Sequence, residues 1–90
     1  MYKTITITQN WSPIEDQSLK DQFDTAINTW IAEGKYTGQD DPVFDSDTKA
    51  RTVTRWDWAD QATAQAFIDL TIQLFNGVQG QVITGEVVQA

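Results

Sequence analysis

Apolar residues recur along this chain with two different periods, and the order in which those periods alternate limits the folds open to it. Residues 2 to 9 set Lys3, Ile5 and Ile7 on one side and Tyr2, Thr4, Thr6 and Thr8 on the other, the pattern of a half-buried strand. Leu19, Phe23, Ala26, Ile27, Trp30 and Ile31 then fall at spacings of three and four, a helical stripe with Asp16, Lys20, Asp21, Asp24 and Asn28 mostly off it. Ser12-Pro13-Ile14-Glu15 predicts the start of this helix: Ser12 caps it, Pro13 takes the first helical position and Glu15 closes a capping box. Gly34 suits a left-handed stop. Residues 35 to 49 hold Gly38, Pro42 and four Asp, a turn-rich composition in which Val43-Phe44 is expected as a short edge strand and Asp45 to Thr48 as the turn beyond it. Alternation returns from Ala50 to Trp58, with Ala50, Thr52, Thr54, Trp56 and Trp58 opposite Arg51, Val53, Arg55 and Asp57. Asp60 is placed to cap a second helix whose stripe is Ala64, Phe67, Ile68, Thr71, Leu74 and Phe75, and Asn76-Gly77 ends it. From Gln81 to Val88, Ile83 and Val87 oppose Val82, Thr84, Glu86 and Val88.

Strand, helix, short strand, strand, helix, strand fill residues 1–90 with no linker and no low-complexity segment, which predicts a single domain. The order is that of the ferredoxin-like βαββαβ fold of the α+β class, an antiparallel four-stranded sheet with two helices on one face. Ile5, Ile7, Val53, Ile83 and Val87 are expected beneath the helices. The other face would carry Tyr2, Thr4, Thr6, Thr8, Thr52, Thr54, Trp56 and Trp58, with Val82, Thr84, Glu86 and Val88 beside them. A face so rich in aromatic residues is not expected to meet water without a use.

Composition removes many functions. The 90 residues carry thirteen Asp and Glu against six Lys and Arg, a net charge of -7, with no His and no Cys. Zinc sites built on Cys or His, haem ligation, iron–sulfur clusters, disulfides and His-based or thiol catalysis lack their groups. No cofactor is expected. Ser12, Ser18 and Ser46 have no base to activate them. A chain this acidic would repel a phosphate backbone, so nucleic acid is not an expected partner. No run approaches the ~20 apolar residues of a membrane span, and the polar alternation of the first residues lacks the apolar core of a secretory signal, so the cytoplasm is the default location. Asp40, Asp41, Asp45 and Asp47 gather four hard oxygen ligands that could hold Ca²⁺, but their spacing is not that of an EF-hand loop. They are read as turn formers, and no metal is expected.

One segment carries a family resemblance. Trp58-Ala59-Asp60-Gln61-Ala62-Thr63-Ala64-Gln65-Ala66-Phe67 resembles the stretch that opens the second helix in the dimeric α+β barrels, the superfamily of the antibiotic-biosynthesis-type monooxygenases. The resemblance implies that two ferredoxin-like sheets pack their open faces together as a homodimer around a ligand-holding barrel. It also marks a departure, because the haem-degrading branch has a Trp where Phe67 stands and an iron-binding His near the place of Gly77. The branches that oxidise aromatic substrates without metal use a barrel Asn, Trp or Tyr, for which Asn10, Trp56 and Tyr2 are the candidates here.

The chain has four Trp; Trp30 lies on the first helical stripe and is expected in the core, whereas Trp56 and Trp58 share the open face. The favoured reading is a small homodimeric binding or assembly module, not a catalyst, whose dimer or ligand face comprises Tyr2, Thr4, Thr6, Thr52, Thr54, Trp56, Trp58 and Glu86. Another protein or a small apolar ligand is a further partner. Glu86 is the one carboxylate on that face and so the one candidate for acid–base work. Arg51 and Arg55, flanking Val53, are expected to meet an anionic ligand or to pair with Asp57 or Glu86, the ion pair being the favoured reading. Two other functions remain open: a cofactor-independent monooxygenase-like enzyme with an apolar barrel lumen, and an acidic decoy that occupies a basic site on another protein.

Overall fold

A computed structural model describes residues 1–90. Its elements are β1 (Tyr2–Gln9), α1 (Gln17–Ala32), β2 (Gln39–Asp45), β3 (Ala50–Trp58), α2 (Gln61–Phe75), a short 3₁₀ turn (Val78–Gly80) and β4 (Val82–Gln89). The sheet order is β2-β3-β1-β4 and every neighbouring pair is antiparallel. This is the ferredoxin-like α+β fold that the periodicities predict. No helix is long and apolar enough to cross a membrane.

The second helix forms as its sequence dictates. Asp60 accepts a hydrogen bond from the Thr63 backbone N–H at 2.7 Å, and the buried residues of α2 are Ala64, Phe67, Ile68, Thr71, Leu74 and Phe75. The first helix starts later than its capping pattern predicts. Asp16 is its N-cap, accepting from the N–H groups of Ser18 and Leu19. The Ser12 hydroxyl is engaged elsewhere, accepting from Gln79 Nε2 at 2.8 Å, while the Glu15 N–H donates to Gln79 Oε1 at 2.9 Å. One glutamine side chain beside β4 thus holds residues 12 to 15 out of the helix. At its far end α1 stops in a Schellman motif: Lys35 N–H donates to Trp30 C=O, Gly34 N–H to Ile31 C=O, and Gly34 takes a φ of 73°.

The edge strand is longer than Val43-Phe44. It runs the seven residues Gln39–Asp45, all exposed, and tolerates Pro42 because an edge strand has one unpaired side. Asp45 Oδ1 accepts from the N–H groups of Asp47 and Thr48, building the turn into β3.

The facing of β1 is the opposite of the expectation. Thr4 and Thr6 are buried beneath the helices and Tyr2 packs against the core, so Ile5 and Ile7 point to the uncovered face. Thr in a strand interior normally reads as the wet side, but these hydroxyls are satisfied internally. Thr4 accepts from Trp58 Nε1 at 3.0 Å, and Thr6 donates to Val53 C=O at 3.4 Å. A second correction concerns Trp58. Asp57 adopts a φ of 62°, and the register with β1 shifts between Tyr2 and Thr4. This β-bulge turns Trp58 to the helix side instead of the side that Trp56 shares. Val53, Ile83 and Val87 do lie beneath the helices.

Trp58 is the centre of the core. It is wholly buried, stacks on Tyr36 with 4.2 Å between ring centroids, and meets Phe67 at 5.0 Å and Trp30 at 5.6 Å. A smaller cluster of Leu74, Phe75 and Ile83 closes the other end. Gly85 lets α2 come down on the sheet, since a Cβ there would lie 2.7 Å from Ile68 Cδ1.

Candidate functional site

Two surfaces of this fold are candidates for a site. The first is the sheet face that no helix covers. Directly opposed residues in antiparallel strands share a face, and the register pairs Ile5 with Thr54 and Glu86, and Ile7 with Thr52 and Thr84. Trp56 lies on this side, with the Lys3 ammonium 4.8 Å from its ring centroid. Val82 at the β4 edge is 51% exposed and Val43 at the β2 edge 59%. The face thus mixes Ile5, Ile7, Trp56, Val43, Val82 and Val88 with Thr52, Thr54, Thr84, Lys3, Asp41 and Glu86, and has a shallow hollow of about 250 Å³ over Ile5, Ile7 and Glu86.

The expected face residues divide between two sides. Thr52, Thr54, Trp56 and Glu86 stand together on the open face. Tyr2, Thr4, Thr6 and Trp58 belong to the helix side and are not available to a partner sheet. Asn10, Trp56 and Tyr2 do not converge, because Tyr2 and Trp56 lie on opposite faces and Asn10 is exposed beyond the end of β1.

The second surface is a cleft of about 300 Å³ between α1 and the sheet. It exists because α1 packs sideways on α2 and hardly approaches the strands; none of its sixteen residues is buried. Thr8, Arg51, Val53 and Ile83 line it from the sheet, Phe67 and Phe75 from α2. Phe23, Lys20 and Asp24 close it from α1, and Trp11, packed against Phe44 and Arg51, completes the wall. Arg55 reaches in over the rings of Phe23 and Phe67, 5.4 Å from each centroid, and pairs with Asp40 at 3.4 Å. Asp57 and Glu86, the partners expected for the arginines, take no part; Glu86 is on the far face. Tyr36 stands beside Arg55: burial raises its phenol pKa, the guanidinium opposes that shift, and the hydroxyl donates to Gln39 C=O at 2.7 Å.

Of the four Asp read as turn formers, Asp45 and Asp47 lie at the turn, whereas Asp40 and Asp41 are residues of β2. Asp45 is spent on backbone N–H groups and Asp40 on Arg55, and nowhere do three Asp or Glu side chains gather into a group that could hold a metal ion.

Of this cleft, the two arginines are legible in the sequence, whereas Thr8, Trp11 and Lys20 as fellow lining residues are not. The signal available was negative. The helix-facing side of β3 carries Arg51 and Arg55 where a packed sheet would carry large apolar residues, so the space under α1 stays underfilled.

No family model matches the chain, and a comparison with curated proteins finds no match.

Proposed function

We propose that this chain is a small non-catalytic binding module that works as a homodimer, two copies meeting through their open sheet faces while each keeps its cleft for a ligand. The observation that carries the pairing is the orientation of β1, a central strand that turns both of its isoleucines to the uncovered face. With Trp56, Val82 and Val88 they form an apolar surface whose burial would be favourable at roughly 25 cal/mol per Å². The size is adequate. The shortest dimension of the molecule, 17 Å, is that of one sheet plus one helix layer, and its broad face of 34 × 27 Å is close to the ~800 Å² per partner of a stable interface. A second copy suits this face because a two-fold axis sets the same patch against itself. The net charge of -7 per chain opposes association beyond the pair.

Sheet-to-sheet pairing is the assembly of the dimeric α+β barrels, which the segment Trp58 to Phe67 resembles, and membership of that superfamily is part of this proposal. The cleft under α1 supports the binding role: it has the volume of a small-molecule site, and its lining mixes aromatic and aliphatic side chains with Thr, Lys and Arg groups. The experiment is Trp56→Asp, which places a charge in the middle of the proposed interface. Its solution mass should fall to that of one chain while its far-UV circular dichroism stays unchanged. A wild-type dimer that survives this substitution would place the interface elsewhere.

A further inference from the structure

We infer that the cleft under α1 takes an organic anion, a carboxylate on a flat apolar body, with the carboxylate held by Arg51 and Lys20 beside Thr8. The inference rests on the cleft being the ligand site. Its basis is the distribution of charge. The chain has six cationic side chains against thirteen acidic ones, yet Lys20, Arg51 and Arg55 line this one cleft and Asp24 is the only acid among its lining residues. A local excess of positive charge in so acidic a molecule selects for an anion and guides it to the opening.

The cations are not equivalent. The salt bridges of the chain are Lys35–Asp60 and Arg55–Asp40, so Arg51 and Lys20 have no acidic partner. Arg55, clamped between rings and neutralised by Asp40, is part of the wall. Arg51 lies with its guanidinium 5.1 Å from the ring centroid of Trp11, an arrangement that leaves the in-plane N–H fork free for a carboxylate. Thr8 stands directly opposite Arg51 in the register, which puts a hydroxyl at the same end of the cleft, and Lys20 reaches that space from the first turns of α1. The buried part of the lining is Val53, Ile83, Phe67 and Phe75 together with Thr6, Thr71 and Gln81, whose polar groups are already engaged: the Thr6 hydroxyl donates to Val53 C=O, that of Thr71 to Phe67 C=O, and Gln81 Nε2 to the Ser12 hydroxyl. An anionic head beside Arg51 and Lys20, with a flat hydrocarbon body against the four apolar side chains, therefore leaves no polar group of the wall newly unpaired. At about 300 Å³ the space suits one or two fused rings.

The test uses 2-naphthoate and its neutral counterpart 2-naphthamide, titrated by calorimetry into the full chain at low salt. One naphthoate should bind per chain, with naphthamide weaker by at least roughly tenfold, as expected when a charge-assisted contact is lost. Arg51→Met keeps the apolar stem and should abolish this preference without changing naphthamide affinity. Lys20→Met, on the exposed helix, should reduce the preference in part and serves as the second variant if Arg51→Met fails to fold. Equal binding of the two compounds to the wild type would overturn the anion assignment and leave the cleft standing as an apolar site. Binding of neither compound would overturn both readings. A preference that survives both substitutions would show that the carboxylate is held elsewhere.

Discussion

The indole N–H of Trp58 donates to the Thr4 hydroxyl at 3.0 Å, and both residues are entirely buried. This bond joins β3, just past its bulge, to the central strand and fixes the ring on which Tyr36, Trp30 and Phe67 pack. Thr4→Val keeps the shape and removes the acceptor, leaving a buried donor without a partner. Urea unfolding should show a loss of about 1–3 kcal/mol, and Thr4→Ser, which retains the oxygen, should lose less. A Thr4→Val variant as stable as the wild type would mean that the hydrogen bond contributes nothing.

Gly85 is required by the close approach of α2. An alanine there would set its Cβ 2.7 Å from Ile68 Cδ1 and 2.9 Å from Ile68 Cγ2, inside a packed core. Gly85→Ala should cost about 1–3 kcal/mol as an overpacking change. Combined with Ile68→Ala, which removes both clashing atoms, the loss should be smaller than the sum of the two single losses. Strict additivity in the double variant would argue against the contact.

The cap of α2 gives stability a pH dependence. Hydrogen bonds from Thr63, foremost its backbone N–H, and the Lys35 ammonium at 3.0 Å hold the Asp60 carboxyl at about 2, below its ordinary 3.8. A folded-state pKa below the unfolded one adds stability that is complete above the unfolded value and is lost as pH falls through the folded value. The relevant window is therefore about pH 4 down to about pH 2. Asp60→Asn keeps a capping oxygen without the charge. The thermal midpoint of the wild type should exceed that of Asp60→Asn at about pH 6, and the gap should close towards about pH 2. A gap independent of pH would show that the charge at this cap contributes nothing.

Helix α1 depends on Asp16, not on Ser12. Asp16→Ala should destabilise the chain by about 0.5–2 kcal/mol through loss of the cap. Ser12→Ala should act differently, loosening the loop that Gln79 holds through its bonds to Ser12 and Pro13. Hydrogen exchange separates the two cases. Amides of the first turn of α1 should lose protection in Asp16→Ala and keep it in Ser12→Ala.

Much of this architecture is legible in the sequence, and the misreadings have identifiable causes. The α2 stripe from Ala64 to Phe75 and its Asp60 cap are readable because one helical period and one capping residue agree. The facing of β1 is not, because in Ile-Thr alternation the isoleucines look like the core side. Only the tertiary partners of Thr4 and Thr6, Trp58 and Val53 C=O, make threonine acceptable beneath a helix. The bulge at Asp57 is equally hidden, since a single left-handed Asp leaves no periodic trace, and it moves Trp58 from one face to the other. Of the open face, Thr52, Thr54, Trp56 and Glu86 were readable from alternation alone. The cleft was not, because it results from α1 standing off the sheet, a packing outcome whose one trace in the sequence is the pair Arg51 and Arg55 on the helix-facing side of β3.

On the open face Ile5 and Ile7 stand where Tyr2, Thr4 and Thr6 were expected, Trp58 has turned to the core, and Trp56 is the aromatic residue that remains. Light scattering across micromolar concentrations tests the pairing most directly. The mass should be twice the 10.2 kDa of one chain, and a species of one chain at every concentration would contradict the pairing.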